Sequence, residues 1–249
     1  MKKLFIMAFL AIAMVSCKKE DTAIVGTGTL DFDFENVVNN APLVLGNQSY
    51  TNAQNESFTV STFKYYVSNI ELTHTNGTIY KAPENYFLID QSQSETFAQQ
   101  LTNIPAGDYH KISFTIGVDS ARNFAGAQTG VLAPEKGMFW TWNSGYIFLK
   151  MEGTADASTK STKALAFHIG GATATTNAIR KVSFNIQNTL RVRTTSAPEL
   201  HFKVNVAAMF TGTEEISFAQ YNTIHGGANA LKIANNYAQS MFSLDHVHN

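Results

Sequence analysis

Cysteine is almost missing from this chain: Cys17 is the one example in 249 residues. No intramolecular disulfide can form, so the fold must rest on its apolar core, which a chain of this length is large enough to build. Charge is also sparse, at 15% of residues with a formal net value of −1, and no basic run follows the N-terminus. Nucleic-acid binding therefore lacks its electrostatic footprint. There is no Gly-x-Ser-x-Gly elbow, no His-Glu-x-x-His pair and no phosphate-cradling glycine loop. Asp119 has no histidine placed beside it by spacing, and Asp31 with Asp33 fits a solvated strand face better than a glycosidase pair. The chain is thus read as a non-enzyme. Long apolar runs are absent apart from Leu4–Val15, which is too short to cross a bilayer as a finished helix.

That run has the form of a leader. Lys2 and Lys3 precede it, and it ends in Val15-Ser16-Cys17, which resembles a bacterial lipobox. Residues 1–17 are read as a lipoprotein signal peptide, with Cys17 the acylated first mature residue and lipid anchor. The alternative is a plain secretory signal with a cysteine there by chance. Lys18-Lys19-Glu20-Asp21 resembles the surface-export signal of some Gram-negative lipoproteins, within a flexible tether over 18–26. The expected location is the outer membrane, on its periplasmic or its outer side. Residues 27–249 then form one domain.

That domain is organised around Gly137–Gly153, which holds both tryptophans, Trp140 and Trp142, with Phe139, Tyr146 and Phe148. From Gly145 it alternates with apolar residues on both sides, as in a strand covered on both faces. The tryptophans are read as packing groups. Thr27–Phe34 alternates Leu30, Phe32 and Phe34 with Asp31 and Asp33, a half-buried strand. Glu56–Thr75 reads as a long strand or two with a bend, closed by an Asn76-Gly77 hairpin signal of type I′. Further strands are expected at Tyr86–Ile89, His110–Val118, Ala164–Ile169, Ile179–Ile186 with Leu190–Val192, and Leu200–Val206. Asp119–Gly137 is the longest candidate loop, of a length that often carries function. Ala228–Phe242, with Leu231, Ala234, Ala238 and Met241 at helical spacing, is the single good helix candidate. The fold expected is all-β: one β-sandwich with a short C-terminal helix and long loops.

Histidine supplies the chemistry. In an extended segment, His246-x-His248 points both imidazoles one way, about 6.5–7 Å apart. His168 ends an apolar strand where Gly170-Gly171 admits close approach. If these strand ends meet, His168, His246 and His248 form a trigonal imidazole set suited to copper or zinc. Against this stands the plainer reading of an exposed tail and a satisfied rim histidine. His74, His110 and His201 are read as surface residues, and His225 as a weaker fourth candidate.

With those residues in hand, the chain resembles the MbnP-like family of copper-binding, methanobactin-associated proteins. The resemblance rests on Phe63–Ile70, Gly117–Ser120, Gly137–Tyr146, Phe167-His168-Ile169-Gly170 and Asp245-His246-Val247-His248. It implies a secreted or outer-membrane β-rich protein with His168 as its best-matched ligand. In some members a kynurenine, made from tryptophan by a di-haem partner of the cytochrome c peroxidase type, also binds copper. Just upstream of His168 this chain has Ala166-Phe167, which cannot become kynurenine, and it has no cysteines for the family's disulfide near that motif. The function expected is a lipid-anchored copper-binding protein acting in metal uptake or handover. The alternative is a metal-free sandwich that binds a protein or glycan.

Overall fold

The computed structural model describes residues 24–140 and 145–249. The leader, Cys17 and Trp142 lie outside the described residues. The strands, in chain order, are β1 (Thr27–Val38), β2 (Ala41–Pro42), β3 (Tyr50–Thr51), β4 (Ser57–His74), β5 (Ile79–Lys81), β6 (Tyr86–Asp90), β7 (Ala98–Pro105), β8 (Gly107–Ile116), β9 (Ile147–Ala155), β10 (Ala164–Gly170), β11 (Arg180–Val192), β12 (Glu199–Asn205), β13 (Thr223–His225) and β14 (Phe242–His248). They form two sheets. The smaller runs β14-β12-β1-β2, with β7 also on β1; the larger is built on β4, which pairs with β8 along its C-terminal half and with β9 along its N-terminal half. This is the expected all-β sandwich.

The alternation in β1 sets the smaller sheet. Leu30, Phe32 and Phe34 are at most 1% exposed, which leaves Asp31, Asp33 and Glu35 on the outer face. The two sheets are sealed by rings that cross between them. Phe202 of β12 meets Phe114 of β8 edge-on at 5.4 Å, and Phe34 of β1 meets Tyr65 of β4 edge-on at 6.4 Å. Each buried ring contributes roughly 1.5–3 kcal/mol. The Tyr65 hydroxyl donates to Asn36 Oδ1 at 3.0 Å, so its polar tip is satisfied inside the core.

The aromatic stretch around residue 146 is covered on both sides, as its pattern implies. Tyr146, Phe148, Leu149 and Met151 are all 0% exposed. On the outer side the cover is the loop after β8. Gly117, at φ 119°, lies against the Phe148 ring, where an added Cβ would stand 2.8 Å from Cγ. The Tyr66 hydroxyl donates to Val131 O at 2.8 Å and the Tyr146 hydroxyl to Leu132 O at 2.9 Å. The longest loop is thus a lid over the larger sheet, with one short turn of helix, α1 (Ser120–Asn123), capped by Asp119. Trp140 is 5% exposed and packs across Gly170 and Gly226.

Two local expectations change, and a third holds. The hairpin after β4 is not type I′: Gly77 has φ 88°, but Asn76 is not among the positive-φ residues. The bonds Gly77 N to His74 O and His74 N to Thr78 O describe a three-residue loop with glycine in the left-handed position. Leu190–Val192 continues the strand of Ile179–Ile186, as expected: β11 runs through to it across an irregularity between Asn185 and Leu190. The helix, α2 (Gly227–Ser240), buries Ala230, Ile233, Ala234 and Tyr237, a stripe at i, i+3, i+4 and i+7 that lies one position from the expected one. It ends before Phe242, which frees the last residues to form β14.

Candidate metal centre

The outer face of the smaller sheet gathers three histidines. On β12, Leu200, Phe202 and Val204 point inward at 1% exposure or less, so His201 points outward. β14 is an edge strand that pairs antiparallel with β12, and here a single residue decides the site. His201 is matched to His246 and Phe202 to Leu244, which leaves Asp245 without a partner: a β-bulge. Under strict alternation His246 and His248 would face inward with Phe242 and Leu244. The extra residue switches the faces, so that Val247 packs against the core and His246 and His248 turn outward beside His201.

One ligand atom from each of His201, His246 and His248 can be chosen so that all lie within 4.8 Å of one another. The His201 and His246 rings stack at 4.1 Å, and His248 stands edge-on to both, at 5.1 and 4.8 Å. Nδ1 of His246 lies 2.8 Å from Asp245 Oδ2, whose other oxygen accepts from Lys203 Nζ at 2.8 Å. Those two hydrogen bonds, Lys203 first, hold the Asp245 carboxyl below the usual carboxylate range. Nδ1 of His201 lies 3.4 Å from Asp33 Oδ2. Its Nε2 is buried without an aligned hydrogen bond, although Glu199 Oε2 stands 3.1 Å away. An orphaned imidazole nitrogen amid two further imidazoles and several carboxylates suits a bound cation.

His168 does not join this group. It lies on β10 in the larger sheet, where Leu165, Phe167 and Ile169 point inward and His168 outward. The outer faces of two packed sheets look away from each other across a core about 10 Å thick. The expected convergence of His168 with His246 and His248 therefore does not occur; two imidazoles of that set meet His201 instead. His168 pairs with His225, matched to it in the parallel β10–β13 register, with rings stacked at 4.5 Å. His168 Nε2 stands 2.7 Å from Glu152 Oε1, and Lys150 Nζ lies 3.4 Å from the same oxygen. Burial holds the His168 imidazole below the usual histidine range, with Lys150 and His225 adding to that and Glu152 opposing it. Burial alone would raise Glu152, but its hydrogen bond to His168 and the Lys150 charge outweigh this and hold it low. Of the remaining histidines, His74 packs at a tilt against Tyr109, ring centroids 4.1 Å apart, closer packed than a surface reading implies, and His110 is exposed.

His201 is the member that spacing alone misses. The alternation of Leu200–Val206 already turns it away from Phe202, but nothing local says that the last seven residues of the sheet lie beside it.

Comparison with known proteins agrees with this architecture. A family model described as MbnP matches residues 27–226. Among solved structures, MbnP from Methylosinus trichosporium superposes with a TM-score of 0.55 at 13% identity, covering 90% of this chain and 99% of that one. That likeness is one of fold. No curated protein matches the chain.

Proposed function

We propose a copper-binding role for this chain, which belongs to the MbnP family. In this reading it is a lipid-anchored protein of the outer membrane, held through Cys17, that takes up or hands over copper through His201, His246 and His248. The observation that carries it is the convergence of three imidazoles from two strands within 4.8 Å. Neutral imidazole is a good ligand for copper and zinc alike, so zinc competes for the same donors. The carboxylates at Nδ1 of His201 and His246 support the reading further, because metal-binding histidines usually hold such a partner on the other ring nitrogen.

Calorimetric titration of the tag-free protein with copper tests it. One equivalent should bind to the native chain, and the His201→Ala/His246→Ala/His248→Ala variant should lose that binding. Equal uptake by both proteins would refute the assignment. For the anchor, Cys17→Ser should release the protein from the membrane fraction; retention in the membrane would contradict it.

A further inference from the structure

The register that joins His201 to His246 also joins Glu199 to His248. Four side chains therefore form a block on one outer face, two from β12 and two from β14. Across such a pair Cβ atoms stand about 4.5–5.5 Å apart, and along each strand successive outward residues lie about 6.5–7 Å apart. Three corners are imidazoles and the fourth is a carboxylate. We infer that Glu199 is the fourth ligand of this site, and that the resulting set of three imidazoles and one carboxylate selects a divalent cation over a monovalent one.

The two nitrogens of His201 have distinct surroundings. Nδ1 faces Asp33, while Nε2 faces Glu199 at 3.1 Å without an aligned hydrogen bond. His246 likewise has a carboxylate, Asp245, at Nδ1. Each of these two histidines thus engages a carboxylate through Nδ1 and can offer Nε2 to a ligand. A cation between Nε2 of His201 and the Glu199 carboxylate would give that buried nitrogen a partner. Among the described residues, Glu199 has no cationic side chain within ion-pair distance other than His201 itself, so its charge is free for a ligand. A carboxylate oxygen is a hard donor. It favours zinc(II) or copper(II) in a four-coordinate nitrogen–oxygen site, whereas copper(I) gains little from it. Asp31, Asp33 and Glu35, outward on β1, and Asp245 on β14 add negative charge around the block, against Lys203 alone on β12.

This inference rests on the metal-binding reading above, and the test separates the two. Full-length tag-free protein in detergent is titrated with zinc(II) and copper(II) against a chelator of known affinity, and anaerobically with copper(I) against a copper(I) chelator. The copper(II) form is also examined by electron paramagnetic resonance. Glu199→Gln should weaken divalent binding by about tenfold or more, at least the loss that outer carboxylates alone cause. It should leave copper(I) affinity within about threefold and change the copper(II) hyperfine pattern as an oxygen donor is lost. Glu199→Asp, which keeps the carboxylate, should recover part of the divalent affinity. If Glu199→Gln matches the native protein in affinity and spectrum while His201→Ala loses metal, the fourth ligand is wrong and the histidine site stands. If His201→Ala also binds as the native protein does, both readings fail. Thermal melts of the metal-free variants identify any loss that comes from misfolding.

Discussion

The two histidine groups lie on opposite outer faces of one sandwich and differ in what surrounds them. On the smaller sheet, His201, His246 and His248 are ringed by carboxylates, and one buried nitrogen lacks an aligned partner. On the larger sheet, the row across β4, β9, β10 and β13 reads Lys64, Lys150, His168, His225. There the imidazole is already bonded to Glu152, and Glu152 is already neutralised by Lys150. The same residue type keeps an unpaired nitrogen among carboxylates in one place and is paired within an ion network in the other. Counting histidines cannot separate the cases; the charge and pairing of the flanking strands do.

The sharpest way to break this contrast is on β14. The exchange His246→Val/Val247→His/His248→Val leaves His201 alone on the outer face and turns one imidazole toward the core. Metal binding should vanish and the melting temperature should fall, since an imidazole would enter an apolar layer; unchanged binding in calorimetry would move the site away from β14. Next in size is the exchange between faces. His201→Ala should lower copper affinity at least a hundredfold, whereas His168→Ala with His225→Ala should change it less than about threefold, on the basis that removing even an outer-shell group typically costs 10–100-fold. A larger loss in the second variant would move the site to the other sheet. Smaller still is the effect of Lys150→Ala, which removes the cation beside Glu152; it should give the His168–His225 pair measurable zinc affinity in a His201→Ala background. No gain would mean that the stacked rings, rather than the lysine, keep metal out.

The larger-sheet pair also carries a pH signature. Because burial depresses the His168 pKa, the unfolded chain binds the proton first as pH falls. The stability contributed by the neutral imidazole is present above the unfolded value of about 6.5 and declines as pH drops below it. Urea midpoints measured from pH 7.5 to 5 should therefore fall less steeply in His168→Gln than in the native protein. Parallel profiles would show that this histidine titrates alike in both states. The Lys64–Asp90 pair adds a separate acid sensitivity lower on the scale. Burial raises Asp90, but Lys64 at 2.8 Å and the bonds from Ser92 win and hold it below the usual range.

Much of this fold was legible from residues alone. Alternation in Leu30–Phe34 and in Leu200–Val206 gives both strands and the faces they bury, and the two-sided apolar pattern of Tyr146–Met151 gives a covered central strand. The longer helix, α2, is legible too, though its buried stripe and its end are each displaced, because Phe242 and Leu244 serve a strand that follows at once. The site was legible only in part. His246 and His248 share a face because side chains repeat every two residues in an extended chain, and that holds in any register. Their third partner depends on which strand β14 lies beside, a pairing across about 45 residues that no local pattern encodes. Asp245 as a bulge was equally hidden: Leu244-Asp245-His246 looks like an ordinary strand until its neighbour is known. His168 stands out in the sequence because glycines and an apolar strand frame it, yet Gly170 makes room for the Trp140 ring and Gly171 lies against Thr176.

If the tail and β12, rather than β10, hold the ion, the imidazoles themselves will report it. Histidine side-chain NMR during a zinc(II) titration reads each ring separately. At one equivalent the imidazole signals of His201, His246 and His248 should shift together while those of His168 and His225 stay in place. Movement of His168 and His225 first, with the other three unchanged, would contradict the assignment.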